Sequence, residues 1–185
     1  MKTKTFPRLS FGAQSIALFA SLASAVLLPQ VFHFIGAVSG LGTNVGAAFL
    51  PMHLPIIIVG FIAGPYAGLV SGALAPVVSF ALSSMPSASV LPLMIAEIAA
   101  YGFFAGILRN KKLPLFGKLV LVQLLGRGVR AAVTVLTALL ATGSFSGLSG
   151  IYTSIVNGLP GIVLQWAVLP LLLSFLREKF KTQSE

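Results

Sequence analysis

The chain has no cysteine, one tryptophan and three acidic residues. The missing cysteines exclude disulfides, thiolate chemistry and cysteine-ligated metals, and leave the redox compartment open. Charge is scarce too: 8% of the 185 residues are charged, against roughly 25% in soluble domains. A globule in water needs a polar exterior, and a chain that is 57% hydrophobic cannot supply one. Lipid accepts such a surface. A spanning helix takes about 20 mainly apolar residues, so the length suits six spans with short loops. No stretch is long or polar enough for a separate soluble domain. Residues 1–185 are therefore read as a single all-α integral membrane domain.

What charge there is falls in a pattern. The net charge is +9, which in a soluble protein would suggest nucleic acid. Here the bases cluster at the ends of apolar runs, which is a membrane-topology signal instead. Spans are expected at about 11–28, 44–63, 66–82, 90–108, 119–141 and 151–176, with Pro29 ending the first and Gly64-Pro65 marking a turn. Lys2, Lys4 and Arg8 precede the first span. Arg109, Lys111, Lys112 and Lys118 lie between the fourth and fifth, and Arg177, Lys179 and Lys181 follow the sixth. The connections 29–43, 83–89 and 142–150 carry no charge. Both termini and the 109–118 loop are thus expected in the cytoplasm. The N-terminal run ends in Ala23-Ser24-Ala25, as a cleaved leader does. It is better read as the first span, because it continues to Leu28 and all that follows is also membrane-embedded.

Ionisable groups inside a bilayer cost about 2.5–3.5 kcal/mol each, so they normally face the protein interior and have a use. Glu97, Arg127 and Arg130 are the deep ones. Tyr101 lies one turn after Glu97. Gln123, Arg127, Arg130, Thr134 and Thr137 recur at alternating steps of four and three, which gathers them into an arc of roughly 80° on the fifth helix. Asn157 and Gln165 lie two turns apart on the sixth, with Trp166 beside them. One reading is a ligand-filled cavity between the fourth, fifth and sixth helices. The other is a structural ion pair of Glu97 with Arg127, plus hydrogen bonds between helices. One carboxylate cannot compensate two guanidinium groups, so Arg130 leaves a positive charge for something else to answer. His53, between two prolines, is either a cavity wall or a packed helix residue, and His33 is expected in a solvated outer loop. Two histidines and one deep carboxylate without ligand spacing give no metal site.

Small residues form two further stripes: Ala13, Ala17, Ala20 and Ser24 on the first span, and Gly68, Gly72, Ala75 and Ser79 on the third. Such stripes let helices approach closely, either within the chain or against another membrane protein.

Taken in order, Leu50-Pro51-Met52-His53-Leu54-Pro55, Gly64-Pro65, Met85-Pro86, Glu97 with Tyr101-Gly102, Gly126-Arg127, Asn157-Gly158-Leu159-Pro160-Gly161 and Gln165 resemble the substrate-binding S-components of energy-coupling factor (ECF) vitamin transporters. The resemblance runs from about Phe11 to Phe175 and is nearest the branch for vitamin B6, hydroxymethylpyrimidine or pantothenate. It implies a bacterial cell-membrane protein, not an enzyme, that binds one micronutrient from outside and carries no cofactor. It also implies partners: a membrane scaffold subunit and two cytoplasmic ATPases that hydrolyse the ATP. Glu97, Tyr101, Arg127 and Asn157 fit the pocket of such a protein, with His53, Gln165 and Arg130 as further candidates. Ala13 and Ala17 match the Ala-x-x-x-Ala spacing that meets the scaffold, and Ala20 and Ser24 extend it. The alternative is a self-sufficient proton-coupled carrier with Glu97 as relay. An intramembrane enzyme is disfavoured, because no nucleophile–base pair is evident.

Overall fold

The computed structural model describes residues 6, 9–42, 44–142 and 148–182, and of 44, 45, 47, 142, 148, 149 and 180–182 the backbone alone. Lys2, Lys4, Arg8 and most of the 142–150 connection lie outside the described residues. Those described form helices and no strands: α1 (Phe11–Val38), α2 (Asn44–Phe49), α3 (His53–Ala63), α4 (Pro65–Ser83), α5 (Leu91–Leu108), α6 (Leu115–Thr142), α7 (Leu148–Asn157) and α8 (Leu159–Thr182). Five of them, α1, α4, α5, α6 and α8, are long and apolar enough to cross a membrane. Large apolar side chains such as Phe19, Leu27, Leu74, Ile107, Leu136, Leu140 and Leu171 stand exposed on all five. In water each would forfeit about 25 cal/mol per Å² of apolar surface. The chain is a helical, multi-pass membrane protein.

The third and fourth expected spans coincide with α4 and α5 to within a residue. The others need correction. Pro29 does not stop the first helix, which runs on to Val38 with Pro29 buried inside it. Ending a helix in hydrocarbon strips several carbonyls of partners, whereas a proline within it removes one N–H. The supposed long connection 29–43 therefore shrinks to the few residues after Val38. The second span is not one helix either. It breaks at Leu50-Pro51-Met52, where Leu50 adopts a positive φ of 49°. What remains as α3 has 11 residues, about 16 Å at 1.5 Å per residue, or half the hydrocarbon thickness. Nearly every side chain of α3 is buried, as expected of a helix that is apolar all round. The sixth span breaks at Gly158 into α7 and α8. Lys118 lies within α6 rather than on the basic loop, and its Nζ donates to the Arg109 carbonyl at 2.8 Å.

Helix starts and stops follow local chemistry. The Ser10 hydroxyl accepts the Ala13 N–H at 3.3 Å and caps α1. Gly64, at φ 102°, ends α3, and Pro65 opens α4. Packing then centres on α5, which touches α3, α4 and α6. Between α4 and α5 the spacing is set by glycine: a Cβ on Gly68 would overlap the Gly102 carbonyl, and one on Gly106 would overlap Pro65. The stripe Gly68, Gly72, Ala75, Ser79 is thus an internal seam, buried throughout. The main apolar core joins Ile57 and Phe61 of α3 to Tyr101 and Ala105 of α5, Leu119 and Val122 of α6, and Leu169 and Leu173 of α8. It fills the end of the bundle nearest the basic 109–112 loop. The opposite end is hollow.

Candidate ligand cavity

That hollow is a cavity of about 740 Å³, within the usual range for small-molecule sites. Its walls come from the parts of α1, α4, α5 and α6 away from the basic loop, the α2–α3 break, the 84–90 loop and α7. Each break in the helices serves it. The Leu50–Met52 break turns that segment and His53 inward, and the Gly158 break lays α7 across the top with Thr153, Ser154 and Asn157 on the cavity wall.

The floor is charged. Arg130 Nη1 donates to Glu97 Oε2 at 2.6 Å, while Arg127 Nη1 lies 3.4 Å from Glu97 Oε1 and His53 Nε2 lies 3.8 Å from it. Glu97 is 1% exposed, Arg127 12% and Arg130 21%. The arginines line the cavity and the carboxylate sits behind them. This exchanges the roles expected from sequence. Arg130, thought to be the surplus cation, holds the short ion pair. Arg127 makes longer contacts, to the Ser154 hydroxyl at 3.2 Å and carbonyl at 3.4 Å besides Glu97, with the buried Tyr101 hydroxyl also beside it. Its Nε and Nη2 are buried without a hydrogen-bond partner. A Cβ on Gly158 would collide with Nη2, so the glycine at the α7–α8 joint is what lets this guanidinium lie there.

The remaining candidates divide. His53 is buried against Tyr101, ring edge to face with centroids 4.8 Å apart. His53 reaches the cavity, whereas Tyr101 packs beneath it in the apolar core. Asn157 lines the cavity. Gln165 does not: it accepts from Gln123 Nε2 at 2.9 Å, and Gln123 in turn accepts from Trp166 Nε1 at 2.5 Å. The polar face of α6 is therefore not one stripe but three pieces. Gln123 belongs to this separate α6–α8 network, Arg127 and Arg130 to the cavity, and Thr134 and Thr137 bond back to their own helix. The expectation that Asn157 and Gln165 face the same way assumed an unbroken helix, and Gly158 breaks it.

Sequence reasoning missed three wall elements. His33 is not in a solvated loop but on the extended α1, at the cavity wall, with Nδ1 buried and unpartnered. Met94 on α5 and Ser154 on α7 also line it. Met94 lies one helical turn before Glu97, a signal available in the sequence. The other two required knowing where α1 ends and α7 begins.

The docking candidates split as well. Ala13 and Ala17 are half-buried, Ala17 against the cluster of Val59, Ala63 and Ala67. Ala20 and Ser24 are exposed.

No family model matches the chain, and no curated protein or solved structure matches it significantly.

Proposed function

We propose that the chain is the substrate-binding subunit of an ATP-driven importer of the ECF type, taking a water-soluble, vitamin-like micronutrient from outside the cell. The observation that carries this reading is the cavity: it lies at the end of the bundle away from the basic loop, with an incompletely paired arginine on its floor. By the positive-inside rule that end faces outward, with both termini in the cytoplasm. The exposed Ala20 and Ser24 offer a flat face on α1 where a scaffold helix can approach closely. The proton-carrier alternative gains less support, since a relay at Glu97 must first break its short pair with Arg130.

Mass spectrometry of the compound that co-purifies in detergent identifies the substrate, whose uptake is then measured with and without scaffold and ATPases. Uptake is expected only with them. Ala20→Trp should abolish uptake while binding by the isolated chain persists. Uptake by the chain alone would instead establish the carrier.

A further inference from the structure

Resting on the reading of the cavity as a ligand site, we infer that its ligand is a small monocarboxylate with a ring or apolar body, recognised by Arg127, and not a protonated amine held by Glu97. The first support is charge balance. The chain has three acidic residues: Glu97 behind the floor, and Glu178 and Glu185 at the far C-terminus. Among the described residues no acidic side chain lines the cavity. Arg127 and Arg130 against Glu97 alone leave one net positive charge, which one carboxylate neutralises and a phosphate dianion exceeds.

The second support is the state of Arg127. Hydrogen bonds from a guanidinium to an anion are normally about 2.7–2.9 Å long. The contacts of Arg127 are 3.2–3.4 Å. Nε and Nη2, the edge that grips a carboxylate with two parallel bonds, have no partner and are closed off, Nη2 against Gly158, so the guanidinium must swing away from Ser154 to present that edge to a ligand. An arginine so poorly satisfied gains more from a bidentate anion than it loses on leaving Ser154. Glu97, by contrast, has Oε2 held by Arg130 at 2.6 Å. Its Oε1, though it accepts no hydrogen bond, is screened by Arg127 at 3.4 Å and His53 at 3.8 Å, so a ligand amine would have to approach it past two arginines. The apolar body is read from the rest of the lining, which includes Met52, Met85, Pro86 and Met94. Methionine adapts to ring edges and faces through its flexible thioether.

The test is equilibrium dialysis of the full chain in detergent with benzoate and 2-naphthoate, each beside its primary amide and its aminomethyl analogue, and with 2-naphthyl phosphate. At least one acid is expected to bind tenfold or more tighter than its amide, amine and phosphate counterparts. Arg127→Gln should erase that preference. Arg127→Lys keeps the charge without the fork and should lose about tenfold of the acid's affinity, which provides a readout if the glutamine variant does not fold. Equal or tighter binding of amide or amine overturns the inference. So does tighter binding of the phosphate, an acid preference that survives Arg127→Gln, or no binding of either acid. Binding of the acid by a chain whose uptake needs no ATPase leaves the inference standing and removes the importer reading instead.

Discussion

At the α4–α5 seam, backbone lies against backbone; where α6 faces α7, an arginine holds the helices apart. The first contact is made by Gly68, Gly72, Gly102 and Gly106, none of which has room for a Cβ. The second is made by Arg127 reaching Ser154 through long hydrogen bonds. Hydrocarbon offers little drive for helices to associate, so close van der Waals contact must hold the first seam. The second seam trades such contact for volume. α7 touches its neighbours sparsely, and the cavity lies beneath it. The same two helices that close on each other through glycine also wall the cavity further along, at Ser79 and Met94.

The strongest way to break this contrast is to remove the one charge that both arginines share. Glu97→Gln leaves Arg130 without its counter-ion, and stranding a buried charge costs about 3–5 kcal/mol. A large drop in thermal unfolding temperature in detergent is expected, and adding Arg130→Gln should restore part of it. An unchanged unfolding temperature would mean that water, not Glu97, carries the arginines. Gly102→Val tests the seam itself. Its side chain has no space against Gly68, and overpacking of this kind costs about 1–3 kcal/mol. Loss of stability with the cavity's affinity reduced only in proportion would sharpen the division of labour. Arg127→Gln, on the open side, should cost about 1 kcal/mol, since only long hydrogen bonds and the longer of the two arginine contacts to Glu97 are lost. A cost equal to that of Glu97→Gln would show Arg127 to be a structural strut. Smallest of all is Thr137→Val. Its hydroxyl bonds only to its own helix and is exposed, so a change within about 0.5 kcal/mol is expected. A larger effect would extend the functional face of α6 beyond Arg130.

These contrasts were only partly legible in the sequence. The seam was: four small residues on one face of α4 announce close packing, though not whether the partner is α5 or another protein. The deep charges were also visible, because any ionisable group stands out in so apolar a chain. Their pairing was not. Arg127 and Arg130 both lie on the inward arc of α6, and periodicity cannot tell which reaches Glu97 first. The helix breaks were hardest. Pro29 looks like a stop yet lies mid-helix, while Gly158 looks like one residue of a continuous span yet divides it. In lipid a proline does not reveal which neighbours will satisfy the backbone it frees. His33, Ser154 and the true place of Gln165 all hung on those two residues.

The brevity of α3 has an electrical consequence. A helix of 11 residues plugs only about half the hydrocarbon depth, and above it lies a cavity rather than a solid wall. A transmembrane voltage then falls mainly across the filled half, and Arg127 sits near the top of that drop. On the proposed reading, in which the cavity opens outward and takes an anion, that anion must still enter part of the field. With the inside negative it meets some fraction of the roughly 2.3 kcal/mol per 100 mV that a full crossing of one charge entails. Ligand affinity in an energised vesicle should therefore be lower than in detergent, by an amount set by how deeply the plug lets the outer solution reach.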